Sequence, residues 1–323
     1  MRRLLAARAA QSVVVVAIVA TIVFALVHLA PGDPFAAAVA GGGLPPAERA
    51  ALVARYGFDR PIAEQYAIYL RNLVHGDLGW SFSRNLPVSA TLATAVPNTL
   101  LLMGTALVLS VALGIAAGLL QAARRGSAVD HGTSALLLVF YSMPDFWLAL
   151  MLMLVFAYAL PLFPVSGTID PVMHEYLGRW GRVADRLHHL VLPAATLTLL
   201  LTAAIARHQR AALLDTARAD FTRTARAKGL SERAVLIRHT LRNSIGTTIT
   251  IVGLLFPALL GGTVLVETVF GWPGMGELAT SAITNRDYSL VTATAIIGAV
   301  MTVAGSFIAD VLTAVADPRV RDR

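Results

Sequence analysis

The sequence has no cysteine and few charges, and both absences narrow its possible classes. Without cysteine, the chain can form neither a disulfide framework nor a thiolate metal site. Only 14% of the 323 residues are charged, whereas 56% are hydrophobic, and the mean hydropathy is +0.68. A chain this apolar is not expected to remain a soluble domain. We therefore predict an all-α polytopic membrane protein.

The sequence also lacks the motifs of nucleotide-binding and hydrolytic sites. A phosphate-binding loop has the pattern G-x-x-x-x-G-K-[ST], but the only lysine, Lys228, follows Ala227 rather than a glycine. His174 and Glu175 lack the second histidine of an H-E-x-x-H zinc site, and no Gly-x-Ser-x-Gly elbow is present. We predict that the chain is not an enzyme by itself and binds no cofactor or metal. If ATP drives the protein, a separate subunit must bind it.

Six apolar runs separated by polar segments predict six transmembrane helices. The first run has 22 residues without a charge and, at about 1.5 Å per residue, spans about 33 Å, enough to cross the hydrocarbon core. It is long for a signal peptide and further runs follow, so we interpret it as a retained helix. Gly114 and Gly118 in the second run predict a face of small residues for close helix packing. The predicted spans are 9–30, 97–120, 133–160, 190–206, 244–266 and 289–316, with the third interrupted by SMPDFW.

The polar segments define the expected domain organisation. Residues 1–30 hold the N-terminus and the first span, 31–96 form an extracytoplasmic cap, and 97–316 form the membrane core, which includes a basic loop at 207–243. Residues 317–323 form a C-terminal tail. Within the cap we predict one helix that follows Pro45 and Pro46 and runs through Tyr56, and another from Pro61 to about Val74.

The distribution of basic residues predicts the orientation in the membrane. Nine of the 26 basic residues lie between Arg207 and Arg242, opposed only by Asp215, Asp220 and Glu232. The two ends of the chain and the turn after the second span lie on the same side as this loop. Basic residues are much denser on this side than in the longer segments on the other side. By the positive-inside rule, both termini and the basic loop are predicted to be cytoplasmic.

Local signals within the basic loop predict two short helices joined by a glycine elbow. The first helix extends from Asp220 to Ala227 and ends near Gly229, the residue best suited to a left-handed helix terminus. Ser231 is the predicted N-cap of a second helix that ends at about Arg242. From spacing alone, the loop either contacts anionic lipid headgroups or docks a soluble partner. A DNA-binding helix-turn-helix is disfavoured because a chain embedded in lipid rarely reads a duplex.

The motif FTRTARAKGLSE in this loop, followed by a basic, hydrophobic helix, resembles the coupling (EAA) loop of ATP-binding-cassette (ABC) importer permeases. The form found here is similar to that of the oligopeptide/dipeptide permease family. The similarity covers nearly the whole chain and includes the motifs RYGFDRPIAEQY, GDLGWSF, SMPDFW, LFPVSG, ETVFGWPGMGELATSAITNRDY and DPRVR. It implies the type I ABC importer permease fold, with six transmembrane helices and a cap between the first two.

The resemblance also implies partners and a cargo class. The expected partners are a second homologous permease subunit, one or two ABC ATPase subunits that bind ATP and Mg²⁺, an extracytoplasmic substrate-binding protein and membrane lipid, but no nucleic acid. The expected location is the cytoplasmic (inner) membrane, and the expected cargo is di- and oligopeptides. The same architecture carrying nickel, haem, glutathione or another small solute is the alternative. A secondary transporter or channel without an ATPase is an alternative of a different class, but neither inverted repeats nor several intramembrane ion ligands support it.

Residues of the basic loop are expected to couple the ATPase to transport. By resemblance, these residues are Asp220, Arg223, Thr224, Ala225, Arg226, Ala227, Lys228, Gly229 and Leu230. The family commonly has a proline shortly after the second coupling helix, but this chain has none between Asn243 and Thr247. We expect Gly246 to supply the local flexibility there.

Two further groups of residues are candidates for the translocation path or its gate. Asp145 lies within an apolar span, where a charge is costly and usually faces a bundle interior or water. The carboxylate either has a structural role in a hydrated crevice or lines the path, and Pro144 is expected to kink its helix. Glu267 and Phe270 are expected where the fifth span meets outer solvent, with Glu267 contacting a partner or capping a loop. The candidates are Met143, Pro144, Asp145, Phe146, Glu267 and Phe270.

Overall fold

The computed structural model describes residues 2–29, 47 and 60–316, which are predominantly helical. Most of the predicted first cap helix, part of the RYGFDRPIAEQY motif and the C-terminal tail lie outside the described residues. The chain divides into two compact units. One contains residues 2–99 and 273–303, and the other contains residues 100–272 and the chain from Ala304.

The first unit begins with helix α1 (Arg2–Leu29), which covers the first predicted span. Helix α2 (Ile62–Val74) follows Pro61, whose backbone is extended at the N-cap position, and confirms the second predicted cap helix. The turn-rich sequence after α2 forms a small antiparallel hairpin of β1 (Trp80–Ser81) and β2 (Leu86–Pro87). The hairpin leads directly into the next helix.

Helix α3 (Val88–Ala123) has 36 residues and begins well before the predicted start of the second span. Pro97, which the sequence analysis used as the first residue of that span, lies inside the helix. Proline favours the first turn because it has no N–H to donate. An interior proline removes one backbone hydrogen bond, and membrane helices tolerate this loss where neighbouring groups satisfy the freed carbonyl.

The third predicted span is two helices rather than one kinked helix. Helix α4 (Ala128–Ser142) and helix α5 (Asp145–Met153) are separated by a break and bent by 103° relative to each other. A π-helical segment, Leu154–Ala159, continues α5. Met143 and Pro144 both have extended backbones. For Met143 this is expected, because a proline disfavours the helical conformation of the residue before it.

Helix α6 (Arg179–Thr216), after a short 3₁₀ turn at His174–Tyr176, has 38 residues and forms the centre of the second unit. It packs against α4, α5 and the helix that follows the basic loop. It also lies close to α3, where a Cβ added to Gly114 would meet Ile205 Cγ2 at 2.6 Å. A Cβ at Gly118 would lie 3.0 Å from the Ala206 carbonyl oxygen. The predicted small-residue face is therefore confirmed.

The remaining elements follow the basic loop. They are α7 (Asp220–Ala227), α8 (Glu232–Ala234), the π segment (Val235–Leu241), α9 (Arg242–Val269), α10 (Met275–Thr284) and α11 (Tyr288–Ala316). The second helix of the basic loop was predicted to be separate from the fifth span. Instead, helical structure continues through the π segment into α9, and Gly246 lies inside α9 rather than at a flexible joint.

The helices confirm a polytopic all-α fold. Within the described ranges, four helical stretches are long and apolar enough to cross a membrane: Arg8–Leu29, Val88–Ala123, Arg179–Thr216 and Tyr288–Val311. The bent pair of α4 with α5 and its π segment meets the same requirement as one broken span. Helix α9, with 28 residues, covers the predicted fifth span.

Candidate functional site

Helix α7 lies within the basic loop and ends in a Schellman motif. The N–H of Gly229 donates to the Arg226 carbonyl at 2.9 Å, and the N–H of Leu230 donates to the Ala225 carbonyl at 3.4 Å. Gly229 has a φ of +76°, the left-handed conformation that this motif requires. The predicted helix and its glycine terminus are therefore confirmed. The side chain of Ser231 accepts the Ala234 N–H, as expected of the N-cap of α8.

Most residues predicted to couple transport to the ATPase lie on the exposed surface of this loop. Eight of the nine are exposed, and only Ala225 is buried. Thr222 is also buried and donates its hydroxyl to the Ala217 carbonyl at 2.9 Å. Because Thr222 and Ala225 are three positions apart, they lie on one side of α7 and hold it against the protein. The opposite side is left open to a partner.

An ion pair spans the glycine elbow. The guanidinium of Arg226 donates to the Glu232 carboxylate through Nε at 2.9 Å and Nη2 at 3.3 Å. Its Nη1 donates to the Ala217 carbonyl at 3.2 Å. Exposed pairs contribute little to stability. The pair bridges α7 and α8, since Arg226 lies before the elbow and Glu232 after it.

Apolar side chains interrupt the basic surface. Phe221, Leu230 and Ile237 are each at least 40% exposed. Exposed Arg223 and Lys228 lie close to them in sequence. A surface that combines cationic and large apolar side chains is suited to docking a protein that supplies carboxylates around an apolar cleft.

Buried polar contacts connect the helices on either side of the loop. Gln209 in α6 is fully buried and donates its amide to the Ser244 hydroxyl in α9 at 2.9 Å. The hydroxyl of Thr248, also in α9, donates to the amide oxygen of Gln209. The loop therefore begins at the end of α6 and leads into α9, and these two helices are linked to each other at the base of the loop. The sequence gives no signal for this link, because an isolated glutamine, serine or threonine in a helix does not indicate its partner.

A charged contact was also missed. Asp130 in α4 is buried and accepts two hydrogen bonds from Arg210 in α6, at 2.9 and 2.8 Å. The N–H of Gly126 donates to the same carboxylate at 2.9 Å. Nine basic residues lie between positions 207 and 242, and nothing in the pattern singled out Arg210.

The first group of path candidates, Met143 to Phe146, lies around the break between α4 and α5. Met143 and Pro144 form the break between α4 and α5, and Asp145 begins α5 in a half-buried position. Phe146 is 46% exposed. These residues therefore lie at a sharp bend rather than in a kinked continuous helix.

Glu267 and Phe270 lie at the end of α9, as expected, but the expectation that they meet outer solvent was wrong. Glu267 and Phe270 are 0% and 2% exposed, so neither lies at outer solvent in this chain. The carbonyl of Phe270 accepts the Gly167 N–H at 2.9 Å, and the carbonyl of Glu267 accepts the Trp272 N–H at 2.8 Å. The LFPVSG and ETVFGW motifs meet here, which buries side chains that the sequence assigned to a surface.

A polar cluster at the start of α6 joins His174 and His189 to the Asp185 carboxylate. His174 Nδ1 lies 2.6 Å from the Asp185 carboxylate, and His189 Nδ1 lies 3.2 Å from it. The same carboxylate accepts the Asp170 N–H at 3.1 Å. The N–H of Met173 donates to the Asp170 carboxylate and is the main reason that the pKa of this group lies below its usual value. The cluster holds the loop before α6 in place.

A second polar cluster lies in the other unit. The buried Asp287 carboxylate accepts the Ser81 hydroxyl at 2.6 Å and the Ser83 hydroxyl and N–H at 2.8 and 3.0 Å. It connects the hairpin of the GDLGWSF motif to the start of α11. Two parts of the sequence resemblance that are far apart in the chain therefore form one structural contact.

Comparison with known proteins agrees with this fold. Residues 110–322 match the family described as "Binding-protein-dependent transport system inner membrane component". Residues 1–103 match the corresponding N-terminal family model. In the solved structures, the inward-facing MetNI methionine ABC transporter shares the fold with a TM-score of 0.54 at 16% identity, over 72% of this chain and 98% of that chain.

Several known permease proteins match this chain over almost their whole length. The oligopeptide transport system permease protein AppB of Bacillus subtilis is 39% identical over 92% of each chain. The di/tripeptide permease DppB of Pseudomonas aeruginosa is 37% identical over 94% of each chain, and the dipeptide permease DppB of Escherichia coli K12 is 36% identical over 93% of each. The chain belongs to the family of binding-protein-dependent transport system inner-membrane components, which confirms the predicted family.

Proposed function

We propose that this chain is a permease subunit of an ABC importer that takes up di- and oligopeptides, and that residues 220–230 receive the ATPase. Support for the cargo comes from relatives whose names specify oligopeptides, dipeptides and tripeptides, at 36–39% identity over almost the whole chain. Support for the architecture comes from the family match and from the fold shared with a methionine ABC transporter.

The observation that carries the coupling role is the way α7 is held. Its outer side is exposed, its inner side is buried through Thr222 and Ala225, and its end is fixed by the left-handed Gly229. At the base of the loop, Gln209 links α6 to α9. A displacement of α7 by a docked ATPase is therefore transmitted to two membrane helices together rather than absorbed in a flexible loop.

The remaining assembly follows from this role. The chain pairs with a second, related permease, and one or two kinds of ATPase subunit bind ATP and Mg²⁺ on the cytoplasmic side. An extracytoplasmic binding protein delivers the peptide. Both termini and the basic loop face the cytoplasm, as the density of basic residues favours. This chain itself holds no nucleotide, cofactor or metal in the proposed mechanism.

Uptake in cells that lack this permease tests the proposal. Cells that contain the ATPase and binding subunits are supplied with labelled dipeptide, longer peptide, nickel and haem, with and without the restored gene. We expect peptide uptake to return with the gene. Restoration of a non-peptide cargo alone would keep the importer and overturn the peptide assignment.

Co-purification separates the importer from a transporter that works without an ATPase. The tagged chain is extracted from the same cells, and the bound subunits are identified by mass spectrometry. An ATPase subunit is expected at stoichiometric amounts. Uptake that persists after deletion of every ATPase candidate would contradict the importer assignment.

A further inference from the structure

A cavity of about 240 Å³ lies between α3, α4 and α6, next to the base of the basic loop. All of its lining residues belong to the second unit. Its polar side includes Arg207, Arg210, Ser134 and Tyr141, and its apolar wall includes Leu137 and Leu138. The cavity is therefore amphipathic, and neither the coupling role nor the path candidates account for it.

Arg207 supplies a positive charge at this cavity. Its guanidinium carbon lies 5.4 Å from the centre of the Tyr141 ring, and the residue is exposed. In the described part of the chain, no carboxylate pairs with Arg207. The aromatic face attracts the cation to this side of the cavity, and an anion that binds there gains charge-assisted hydrogen bonds.

The neighbouring polar groups provide donors but no further net charge. Arg210 uses Nε and Nη2 to bind Asp130, so its charge is balanced, while Nη1 takes no part in that pair. The hydroxyl oxygen of Ser134 accepts the Gln121 amide at 3.2 Å, which leaves its own proton to donate. One uncompensated positive charge with two more donors matches a phosphodiester, which carries one negative charge and several acceptor oxygens.

The apolar wall distinguishes a lipid from a soluble anion. Leu138, which lines the cavity, is 59% exposed, and α4 exposes further apolar side chains outside the cavity, Leu136 and Val139, at 57% and 51%. An inorganic phosphate would leave this surface uncovered, whereas acyl chains would cover it. Basic pockets between membrane helices are known to bind anionic headgroups.

We propose that this cavity binds an anionic phospholipid, with its phosphodiester at Arg207 and its acyl chains along the exposed leucines of α4. The site requires only that the chain lies in a membrane, and it is independent of the cargo. Since Arg207 lies where α6 approaches the basic loop, a bound lipid would brace the helix that carries the proposed coupling segment.

The first test measures thermal protection of the purified protein in detergent by added phosphatidylglycerol, phosphatidylcholine or inorganic phosphate. We expect phosphatidylglycerol to protect at the lowest concentration. Arg207→Gln should raise the concentration needed for half-maximal protection about tenfold, the effect of losing one charged hydrogen bond. The exposed Arg218, which does not line the cavity, provides the matched control Arg218→Gln, expected to behave as the wild type.

Each other result overturns the proposal. Equal protection by phosphatidylcholine would remove the requirement for anionic charge, and protection by phosphate alone would indicate a soluble anion. Equal responses of Arg207→Gln and the wild type would remove the assigned residue. If Arg207→Gln is not recovered, Arg207→Lys keeps the charge without the planar stacking and is expected to give an intermediate loss.

A second test identifies what covers α4 in the membrane. A photo-crosslinking amino acid replaces Leu138, and the protein is irradiated in native membranes before purification. An adduct with the mass of a phospholipid is expected. Crosslinking to another permease subunit instead would show that this face is a subunit interface and would overturn the lipid site.

Discussion

The amide of Gln209 donates to the hydroxyl of Ser244 at 2.9 Å and thereby joins the helix that enters the basic loop to the helix that leaves it. The two residues are separated by 35 positions in the sequence, and Gln209 is fully buried. A buried amide with satisfied partners is costly to disrupt, because its removal leaves other polar groups unpaired. The contact therefore gives the loop a rigid base.

Replacement of Gln209 by leucine tests this base. We expect Gln209→Leu to lower the free energy of unfolding by about 1–3 kcal/mol, because Ser244 and Thr248 lose a buried partner. Unfolding of the purified protein in mixed micelles gives the measurement. Gln11→Leu, at an exposed position of α1, is the control and should change stability little. Equal stability of the two variants would show that the buried network is dispensable.

The terminus of α7 provides a test of coupling. Nothing lies within 4 Å of a Cβ added at Gly229, so the obstacle to substitution is the backbone conformation and not space. A β-branched residue at φ +76° costs at least about 1–2 kcal/mol. We expect Gly229→Val to insert into the membrane and assemble but to lose most uptake.

Two further glycine variants test whether the backbone conformation at Gly229, and not the loss of a glycine as such, causes the effect. Gly229→Asn should retain more uptake than the valine variant, because asparagine tolerates left-handed backbone. Gly246 lies inside α9, and no atom lies within 4 Å of a Cβ added there. The Gly246→Ala variant should therefore transport normally. Normal uptake by Gly229→Val in the assembled complex would contradict the coupling assignment.

The ion pair between Asp130 and Arg210 should show energetic coupling. We expect a double-mutant cycle with Asp130→Asn and Arg210→Gln to give an interaction energy of about 1–3 kcal/mol, because the two groups share two hydrogen bonds and Asp130 is buried. Unfolding in mixed micelles is again the measurement. Additive effects of the two substitutions would show that the pair does not stabilise the fold.

The carboxylate of Asp287 should control the motion of the hairpin. Asp287→Asn keeps the side-chain size but weakens the hydrogen bonds from Ser81 and Ser83. We expect backbone hydrogen exchange over residues 80–87 to become about tenfold faster, in line with the loss of charged hydrogen bonds. The exposed pair of Arg60 and Glu64 gives the control Glu64→Gln in the same unit. Unchanged exchange would mean that the hairpin is held by other contacts.

The sequence predicted elements whose signals are local. Gly229 and Ser231 define the end of one helix and the start of the next within a few residues, and both assignments are confirmed. The predicted spans located most apolar helices, but not their ends. Pro97 was interpreted as a helix start because that is where proline is favoured, although the helix had already begun at Val88.

The contacts that fix the site depend on pairings far apart in the chain. Asp130 and Arg210 are separated by 80 positions, and neither has a sequence signal that selects its partner. The burial of Glu267 and Phe270 arises where two motifs meet, which a pattern along one segment does not show. Local chemistry therefore predicts the shape of the proposed coupling segment, whereas long-range packing determines what holds it in place.

The π-helical segment between α8 and α9 can lengthen if its residues change to α-helical geometry. A π turn contains more residues than an α turn, so Val235–Leu241 follows a shorter path than the same residues would as an α-helix. If the π segment changes to α geometry by one residue, the helix lengthens by about 1.5 Å. The segment that precedes it, α7 and α8, then turns by about 100° relative to α9. If an ATPase pulls on α7, as proposed, the pull would then reach α9 as a rotation as well as a displacement.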